Sequence, residues 1–525
     1  MLKVASIEQT RAIEASADAD GISYVELMQR AGRAAADRAL TYLQHPNPQV
    51  TVLVGSGNNG GDGMVAGLLI AQDRPDANVR FYQLKQRYDD YTQIAREVGI
   101  LVVDAESDAD KRLLRNMVAS SDLIIDALYG IGVRLPLSEE AGRVLRMVKQ
   151  AITERQNELL TRSVYTLNQV MPRPTTIPIL ALDVPSGVHA DTGALDRHTL
   201  TATETLSFIT AKRGLFTFPA ASAVGKLSIA TLDLPDKYTR HLNELLPTSH
   251  DAFKHLPQRP VNSHKGTFGK LLIIGGSPNY WGAPLLSARA AYAIGTGLVT
   301  LAVPEALIPA LATQLPEATW EALNHHQEAL TSLKALEAQL QQGAYTAILV
   351  GTGLGQAETT RQFLYGLLEF SQLPPLILDA DALNLLAQES DWWKRIPAQS
   401  ILTPHPAEMA RLCQLSTQEI QSQRWQIAQQ SAERWNAQLV LKGAHTLITT
   451  PDGTSFILPF KTSSLAKAGT GDVLAGLIAG LVAQKTSPIT AAWLGAYLHG
   501  MAGEQLIPAQ LASHLIDKIG QIAFS

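Results

Sequence analysis

One stretch near the C-terminus, residues 461–480, constrains the fold more than any other. It reads KTSSLAKAGTGDVLAGLIAG, so a glycine-rich turn delivers Asp472 to the start of an apolar segment, Val473 to Val482. That segment is long enough for a helix. Small residues within it allow close packing against neighbouring elements: Ala475, Gly476, Ala479 and Gly480. The stretch therefore predicts a helix that begins at a glycine-rich turn and packs tightly.

Asp472 lies where the start of a helix could bind an anion. Backbone N–H groups in the first turn of a helix lack partners within the helix and carry partial positive charge. A carboxylate in the same turn faces the bound anion and can take a proton from an attacking hydroxyl. Phosphoryl transfer to an alcohol needs both features. A lone Gly-x-Gly-Asp is more often a loop–helix junction with Asp as the capping residue. The sequence around it favours a phosphate site.

Length and composition define the class of protein. The chain has 525 residues, too many for one hydrophobic core, so we expect two or more domains. Its 46% apolar and 17% charged residues are typical of a globular protein. A net charge of −5 without a long Lys/Arg run argues against a nucleic-acid partner, and no apolar run is long enough to span a membrane. The single cysteine, Cys413, excludes an internal disulfide. With an N-terminus that lacks an apolar leader, it indicates a soluble, cytoplasmic protein.

The first half of the chain alternates apolar, strand-like runs with helical segments. Residues 7–43 are predicted to be helical, and a strand at 49–54 opens directly into the glycine-rich loop GSGNNGGDG. Further strands are predicted at 79–84, 100–104, 122–127, 178–183, 204–210 and 226–232. This order predicts a Rossmann-like parallel sheet with crossover helices. Residues 151–177 are polar and are interpreted as a surface excursion.

A composition change marks the domain boundary. Residues 241–264 lose the strand alternation and collect Pro, His and Ser, so they are predicted to be a linker between domains at 1–240 and 265–525. The second domain opens again on a strand, a glycine-rich turn and a helix. Its further strands are predicted at 297–303, 347–350, 376–379, 400–403, 439–442 and 446–449. We therefore expect a second α/β domain.

Polar residues follow several strands of the first domain. The loop at Gly55 matches the dinucleotide-binding Gly-x-Gly-x-x-Gly spacing, but the next strand ends without the acidic residue which that fingerprint needs. Asn59, Asp126, Asp183 and Ser186 instead place oxygen atoms at the carboxyl ends of parallel strands, where α/β sheets bind ligands. Such a cluster suits a cation beside a phosphate. The alternative is that these residues cap helices and order turns.

The motifs together resemble a known pair of enzyme families. The front half contains GSGNNGGDG, DALYGIGVRLP and LDVPSG, and is similar to the NAD(P)H-hydrate epimerases. The back half contains GGSPNYWGAPLLSARA, GTGLG, DADALNLL, TPHPAEMARL, LKGAHTLI and AGTGD. It is similar to the ADP-dependent NAD(P)H-hydrate dehydratases, which have a ribokinase-like α/β fold. The resemblance covers nearly the whole chain and implies a bifunctional repair enzyme for hydrated NAD(P)H.

For the front half, the resemblance implies a site for the hydrated nucleotide, with Asp183 at the reacting end as the acid–base group. The binding residues implied are Asn58, Asn59, Gly60, Gly61, Asp62, Gly130, Ile131, Gly132, Val133, Arg134, Leu135, Pro136 and Asp183. A potassium ion would be held by Asn59, Asp126 and Ser186. One departure is visible, because Met28-Gln29-Arg30-Ala31-Gly32 stands where the family usually has a sequence such as MENAG. It puts any contact from that helix in doubt.

For the back half, the resemblance implies a hydrate site and a neighbouring adenine-nucleotide site. The hydrate would be lined by Ala283, Gly353, His405 and Asp472, although His405 could also be an ordered loop histidine. The nucleotide would be held by Lys442, Gly443, Ala444, His445, Thr446 and Gly471. ADP is the expected phosphoryl donor and becomes AMP, and Mg²⁺ is expected to neutralise its phosphates. Asp472 would act as the catalytic base.

The expected reactions repair a dead cofactor. The first domain would interconvert the R and S epimers of NADHX and NADPHX, and the second would phosphorylate the C6 hydroxyl of the S form and release phosphate. Two alternatives stay open: a true small-molecule kinase, which would release a stable phosphorylated product, and a binding or scaffold role for the first domain. The expected partners are small molecules and a second copy of the chain in a homo-oligomer, with no nucleic acid and no membrane.

Overall fold

The structure is a computed structural model that describes residues 1–160, 176–323 and 329–524. It divides into two compact units, Leu2–Leu242 and Asn243–Ser525. Of the predicted polar excursion at 151–177, residues 161–175 lie outside the described residues. In the described part of the chain, no helix combines the length and apolar character needed to cross a membrane.

The first unit is a parallel sheet with helices between its strands. Its strands are β1 (Leu2–Ala5), β2 (Gln49–Val54), β3 (Asn78–Gln83), β4 (Leu101–Asp104), β5 (Leu123–Ala127), β6 (Ile179–Leu182), β7 (Glu204–Phe208), β8 (Ala211–Lys212) and β9 (Lys226–Ala230). Its helices are α1 (Ile7–Ala19), α2 (Tyr24–Leu40), α3 (Asn58–Asp73), α4 (Asp90–Glu97), α5 (Arg112–Ala119) and α6 (Glu139–Leu160). The sheet order is β4-β3-β2-β5-β6-β7-β9, with every pair parallel, and β1 pairs separately with β8. The parallel α/β prediction is confirmed.

The predicted helix at 7–43 is two helices. Gly21 between them has a φ of 96°, which only glycine adopts readily. Ser23 then caps α2, because its hydroxyl accepts a hydrogen bond from the Glu26 N–H at 3.2 Å. Gly21 and Ser23 therefore mark a break in the helical segment and the start of a new helix.

The second unit is a mixed sheet that is mostly parallel. Its strands are β10 (Glu244–Leu246), β11 (Lys270–Ile274), β12 (Leu298–Pro304), β13 (Thr319–Leu323), β14 (Ala347–Val350), β15 (Leu376–Leu378), β16 (Ile401–Leu402), β17 (Gln438–Leu441), β18 (Leu447–Thr449) and β19 (Ser455–Ile457). The order is β13-β12-β11-β14-β15-β16-β17-β18-β19-β10, antiparallel only where β18 meets its two neighbours. The predicted second α/β domain is confirmed. Residues 241–264, predicted as a linker, carry the strand β10, which pairs with β19.

Twelve helices accompany this sheet in the described residues. They are α7 (Ser249–Lys254), α8 (Gly282–Ala293), α9 (Ile308–Ala312), α10 (Ala329–Gln341), α11 (Glu358–Leu368), α12 (Asp381–Leu386), α13 (Pro406–Cys413), α14 (Thr417–Ser422), α15 (Arg424–Trp435), α16 (Thr470–Ala483), α17 (Pro488–Glu504) and α18 (Ala512–Phe524).

Helix α16 is the buried helix predicted from residues 461–480. Every residue from Val473 to Ala483 is buried. A Cβ added at Gly476 would lie 2.2 Å from the Ser287 carbonyl oxygen of α8, and one at Gly480 would lie 3.0 Å from the Ala291 Cα. The small residues thus let two helix backbones approach closely, as the sequence predicted.

Candidate active sites

The first unit has a cavity of about 390 Å³ at the carboxyl ends of its central strands. Helix α3 begins directly after β2, and β5 and β6 are the next strands along the sheet. Because these strands are parallel neighbours, the residues that follow them meet at one edge. The convergence inferred from the sequence is what the topology produces.

Eight of the predicted epimerase residues line this cavity. They are Asn58, Asn59, Asp62, Gly130, Ile131, Gly132, Val133 and Asp183. The other predicted residues, Gly60, Gly61, Arg134, Leu135 and Pro136, are not among the described residues that line it. Two of these have clear packing roles, since a Cβ at Gly60 would lie 2.0 Å from the Gly55 carbonyl oxygen and one at Gly61 would lie 2.6 Å from the Met28 Sδ. These glycines admit close contacts inside the protein.

The departure from the family pattern at residues 28–32 is accommodated away from the cavity. Met28 packs against Gly61, and the Arg30 Nη1 donates to the Leu232 carbonyl oxygen at 2.9 Å. Neither residue is among those that line the cavity. Residues 28–32 therefore pack against the loop at residues 58–62 on the side away from the cavity.

Asp183 has an unusual backbone conformation at the end of β6. Its φ is 64°, in the left-handed region that costs a non-glycine residue about 1–3 kcal/mol. Its N–H donates to the Leu206 carbonyl oxygen of β7 at 2.7 Å, which holds the turn in place. Such strain concentrates at functional sites. The strain and the cavity position agree with a functional role.

Lys212 is a functional candidate that sequence reasoning missed. It is fully buried, and its ammonium lies 2.5 Å from the Asp183 Oδ1. The sequence does show a lysine within the run SFITAKRG, nearly all of which is buried in the structure. The run does not indicate which residue pairs with that lysine. A lysine is almost never fully buried unless it is paired.

Two further carboxyl groups face the same cavity. Burial raises the pKa of Asp62 well above its usual range, and the charges of Asp183 and Glu14 add to the effect. Burial also raises the pKa of Glu14, together with the charge of Asp183. Glu14, like Arg11, comes from helix α1 and was not predicted. Several carboxyl groups near one lysine can hold a proton near neutral pH.

The three predicted potassium ligands lie around one loop. The Asp126 carboxylate accepts hydrogen bonds from the Ser186 hydroxyl at 2.6 Å and the Ser186 N–H at 2.9 Å, and burial raises its pKa. A Cβ at Gly130 would lie 3.3 Å from the Asn59 Cβ. Both polar atoms of the Asn59 amide are buried, and within the described part of the chain they have no hydrogen-bond partner. The unpartnered buried amide of Asn59 and the buried carboxylate of Asp126 are both groups that fit a weakly bound cation.

The second unit presents Asp472 in the first turn of α16. Gly469, with a φ of 87°, precedes the helix, and the turn around it is the one predicted to cradle phosphate. Burial raises the pKa of Asp472 to about 7, with added effects from the charges of Asp379 and Asp381. A carboxylate with this pKa can accept a proton at neutral pH.

Lys442 connects three of the quoted motifs. Its ammonium donates to the Asp379 Oδ1 at 2.7 Å and lies 3.8 Å from the Glu408 Oε2, while the Thr403 hydroxyl donates to the same Asp379 oxygen at 2.7 Å. Burial alone would lower the pKa of Lys442, but the charges of Asp379 and Glu408 outweigh it and the pKa is raised. Lys442 is therefore a cation, and a Cβ at Gly471 would lie 3.6 Å from it. Asp379 and Glu408 were not predicted as site residues.

The remaining predicted hydrate residues fall into two groups. A Cβ at Gly353 would lie 3.0 Å from the Ala283 Cβ, so these two residues are neighbours. His405 caps α13, because its Nδ1 accepts hydrogen bonds from the N–H groups of Ala407 at 3.1 Å and Glu408 at 3.4 Å. Burial lowers its pKa, as does the charge of Lys442. His405 is thus an ordered, neutral histidine, and its Nε2 lies 3.3 Å from the Glu408 Oε1.

A cavity of about 220 Å³ lies beside the start of α16. Of the predicted nucleotide residues, it is lined by Lys442, Gly443, Ala444, Thr446 and Gly471. His445 is instead buried, and its Nδ1 lies 3.0 Å from the Leu458 carbonyl oxygen. A histidine not predicted, His499, lines the cavity and donates from its Nε2 to the Thr470 carbonyl oxygen at 2.9 Å. Burial lowers the pKa of His499 to about 4, so it is a neutral anchor of the turn.

Comparison with known proteins places both units. A family model described as NAD(P)H-hydrate dehydratase matches residues 271–523, and one described as YjeF-related protein N-terminus matches residues 25–214. A bifunctional NAD(P)H-hydrate repair enzyme Nnr from Moorella thermoacetica is 35% identical over 514 residues, covering 94% of this chain and 92% of the relative. The chain belongs to the bifunctional NAD(P)H-hydrate repair enzymes. The resemblance inferred from the motifs, and with it a two-domain repair enzyme, is confirmed.

Two solved structures resemble the second unit of this repair enzyme. An ADP/ATP-dependent NAD(P)H-hydrate dehydratase from Bacillus subtilis, co-crystallised with ATP and Mg²⁺, is 34% identical and covers 52% of this chain and 96% of its own, with a TM-score of 0.46. A ribokinase-like superfamily protein from Enterococcus faecalis is 28% identical and covers 54% of this chain and 97% of its own, also with a TM-score of 0.46.

Proposed function

We propose that this repair enzyme interconverts the R and S epimers of NADHX and NADPHX and dehydrates the S form, using ADP and releasing AMP and phosphate. The observation that carries the proposal is Asp472, a carboxyl group with a pKa of about 7 in the first turn of a helix beside Lys442. Assembly into a homo-oligomer and a cytoplasmic location remain predictions from the sequence.

The dehydration follows from the poor leaving ability of hydroxide. Asp472 takes the proton of the C6 hydroxyl as that oxygen attacks the terminal phosphoryl group of ADP. The N–H groups of residues 469–471 and the ammonium of Lys442 stabilise the negative charge on the transferring group. Loss of phosphate from C6, with a proton from C5, restores the dihydropyridine ring. The hydrate rests against Ala283, Gly353 and His405, and the nucleotide occupies the neighbouring cavity.

Magnesium fits this site only as a companion of the nucleotide. Among the described residues, no group of three or more His, Cys, Asp and Glu side chains could hold a metal ion. Mg²⁺ commonly binds through one or two carboxylates and the substrate's phosphates, keeping several of its waters. When bound it would neutralise charge on the donor phosphates, and Asp379 and Asp381 lie near enough to influence the pKa of Asp472.

The epimerase reaction is assigned to the first unit. Asp183 faces the nicotinamide ring and exchanges the proton, and the loops at residues 58–62 and 130–136 hold the nucleotide. Potassium would be held by Asn59, Asp126 and Ser186, and would offset phosphate charge. The unpartnered Asn59 amide and the buried Asp126 carboxylate support that choice.

The test is to incubate the purified chain with racemic NADH hydrate and either ADP or ATP. Absorbance of the dihydronicotinamide ring should recover fully with the accepted donor, because the epimerase feeds the R form to the dehydratase. Asp183→Asn should stop recovery near half, when the S form is exhausted. Free phosphate should match the NADH formed. A stable phosphorylated product without NADH would instead identify a kinase, and would refute the proposal.

A further inference from the structure

Lys212 lies at the wall of the epimerase cavity, where oxygen atoms surround its ammonium. Its ammonium lies 2.5 Å from the Asp183 Oδ1, 2.8 Å from the Phe208 carbonyl oxygen, and 3.1 Å from both the Ser207 hydroxyl and the Thr210 carbonyl oxygen. A lysine ammonium has three N–H donors, so it is fully satisfied inside the protein. Nothing is left over to bind a ligand directly.

The backbone fixes Lys212 independently of Asp183. Lys212 ends the short strand β8, where it pairs in parallel register with Ala5 of β1, and Ala5 is also fully buried. Two segments distant in sequence therefore fix the backbone position from which the Lys212 side chain extends. The lysine acts as a fixed point and not as a mobile side chain.

Stability alone is a weak explanation for this ion pair. Withdrawing two charges from water costs more than their attraction often returns, and apolar replacements of buried ion pairs are frequently neutral or stabilising. Here the carboxylate also has a strained, left-handed backbone. Asp183, at the wall of a cavity, therefore bears both the cost of burying an ion pair and the cost of a strained backbone.

The two carboxylate oxygens of Asp183 have different contacts. Oδ1 is bonded to Lys212, and it also lies 3.5 Å from the Ser207 hydroxyl. A Cβ at Gly130 would lie 3.2 Å from Oδ2, and Gly130 lines the cavity. One oxygen is therefore held inside the protein while the other lies on the side of the ligand loop.

We propose that Lys212 is a positioning residue of the epimerase, which anchors Asp183 through Oδ1 so that Oδ2 faces the C6 carbon and hydroxyl of the hydrate. This rests on the proposed epimerase function. Arg11 and Glu14, which also line the cavity, come from helix α1, and in the described part of the chain neither donates a hydrogen bond to Asp183. Lys212 acts through Asp183, because oxygen atoms of the protein already occupy its three N–H donors.

The test uses the full chain and Lys212→Met, which keeps an unbranched side chain only one atom shorter and removes its charge. Conversion of the R to the S hydrate is followed by chromatography with ADP omitted, so that dehydration cannot proceed. We expect kcat to fall about 100-fold, the low end of what a positioned acid–base group supplies, with KM changed less than about threefold. Dehydration of the S hydrate with ADP should be unchanged.

Lys111→Met is the matched control. Lys111 is another buried lysine of the same unit, paired with Glu140 at 2.6 Å and bonded to the carbonyl oxygens of Ala105 and Asp108. It does not line the cavity. Its substitution removes an equivalent buried charge and should leave epimerisation kcat unchanged. Equal losses in the two variants would overturn the proposal.

The double variant Lys212→Met/Asp183→Asn separates positioning from general damage. If Lys212 acts through Asp183, the double variant should match Asp183→Asn alone within about threefold, whereas independent effects would multiply and overturn the proposal. If Lys212→Met gives no cooperative melting transition, the variant Ser207→Ala is tested in its place. We expect its epimerisation kcat to fall about tenfold. An unchanged kcat in Ser207→Ala overturns the proposal. A wild-type chain that fails to interconvert the epimers would refute the epimerase function itself.

Discussion

The raised pKa of Asp472 predicts that this carboxylate destabilises the second unit at neutral and alkaline pH. Its pKa is about 7 against an ordinary value of 3.8, because burial and the charges of Asp379 and Asp381 disfavour ionisation. A difference of about three units corresponds to about 4 kcal/mol. Since water screens part of this at the mouth of the site, we expect about 2 kcal/mol to be realised. Asp472→Asn should raise the free energy of unfolding by that amount above pH 7.

The direction with pH follows from linkage. A carboxyl group whose pKa is raised on folding binds more protons in the folded state, so its ionisation costs stability as the pH rises between the unfolded and folded values. The gain from Asp472→Asn should be absent below about pH 4 and complete above about pH 7. For a domain of this size, about 2 kcal/mol corresponds to a rise of about 4–8 °C in Tm.

The assay is calorimetry of the full chain at two pH values. The two units can melt separately, so the transition of the second unit is identified by its rise when ADP is added. Asp517→Asn, at an exposed position of α18, is the control and should shift nothing. A gain of equal size at pH 4 and pH 8, or none at pH 8, would refute the reasoning. In the same variant, dehydration should fall about 10²–10⁴-fold while epimerisation is unchanged.

Three further predictions test the cation site, the helix packing and the domain division. Wild-type epimerisation, followed as loss of the R hydrate by chromatography, should slow at least about tenfold when a bulky organic cation replaces potassium. Asp126→Ala should be slow in both buffers. Equal wild-type rates in the two buffers would show that Asn59, Asp126 and Ser186 only order turns. Gly476→Ala places a methyl 2.2 Å from a carbonyl oxygen and should cost about 2–3 kcal/mol in the calorimetric transition of the second unit, whereas Gly282→Ala, with nothing within 4 Å, should cost nothing. Fragments 1–242 and 243–525 should fold separately, the first epimerising and the second dehydrating only the S hydrate; two insoluble fragments would contradict this division.

Local patterns predicted most of the fold. The long apolar strands and the glycine-rich turns that follow them are short-range signals, and the parallel order followed from the helices between them. The strands that were not predicted, β1, β8, β10, β13 and β19, carry less of that signal. β10 and β19 have three residues each, and β13 contains Trp320 and Glu321 in half-buried positions. They are strands because a neighbouring strand offers unpaired backbone groups, which is a tertiary effect.

Site residues could be predicted where a single motif contains them, and not where two segments distant in sequence must come together. Asp472 and its turn lie within a single stretch, and so does the loop at residues 58–62. The partners of the reacting carboxylates are different, since Asp183 and Lys212 are 29 residues apart, and Lys442 and Asp379 are 63 apart. No spacing rule joins such pairs, because the sheet order decides which strand ends are neighbours.

The two carboxylates that we propose as the reacting groups lie in opposite electrostatic settings, and the difference suits the proposed reactions. Asp183 has a lysine of its own at 2.5 Å, so its charge is balanced inside the protein before any substrate arrives. The nearby Lys442 is bonded to Asp379 instead, and burial, with the charge of Asp379, raises the pKa of Asp472 to about 7. Proton removal from an alcohol needs a base whose pKa is near the working pH, which describes Asp472. Epimerisation acts on the same carbon in both directions and needs a carboxylate held at a fixed position while it exchanges the proton. Removing Lys212 should therefore impair epimerisation by releasing Asp183 from its position, and freeing Lys442 from Asp379 should impair dehydration by lowering the pKa of Asp472.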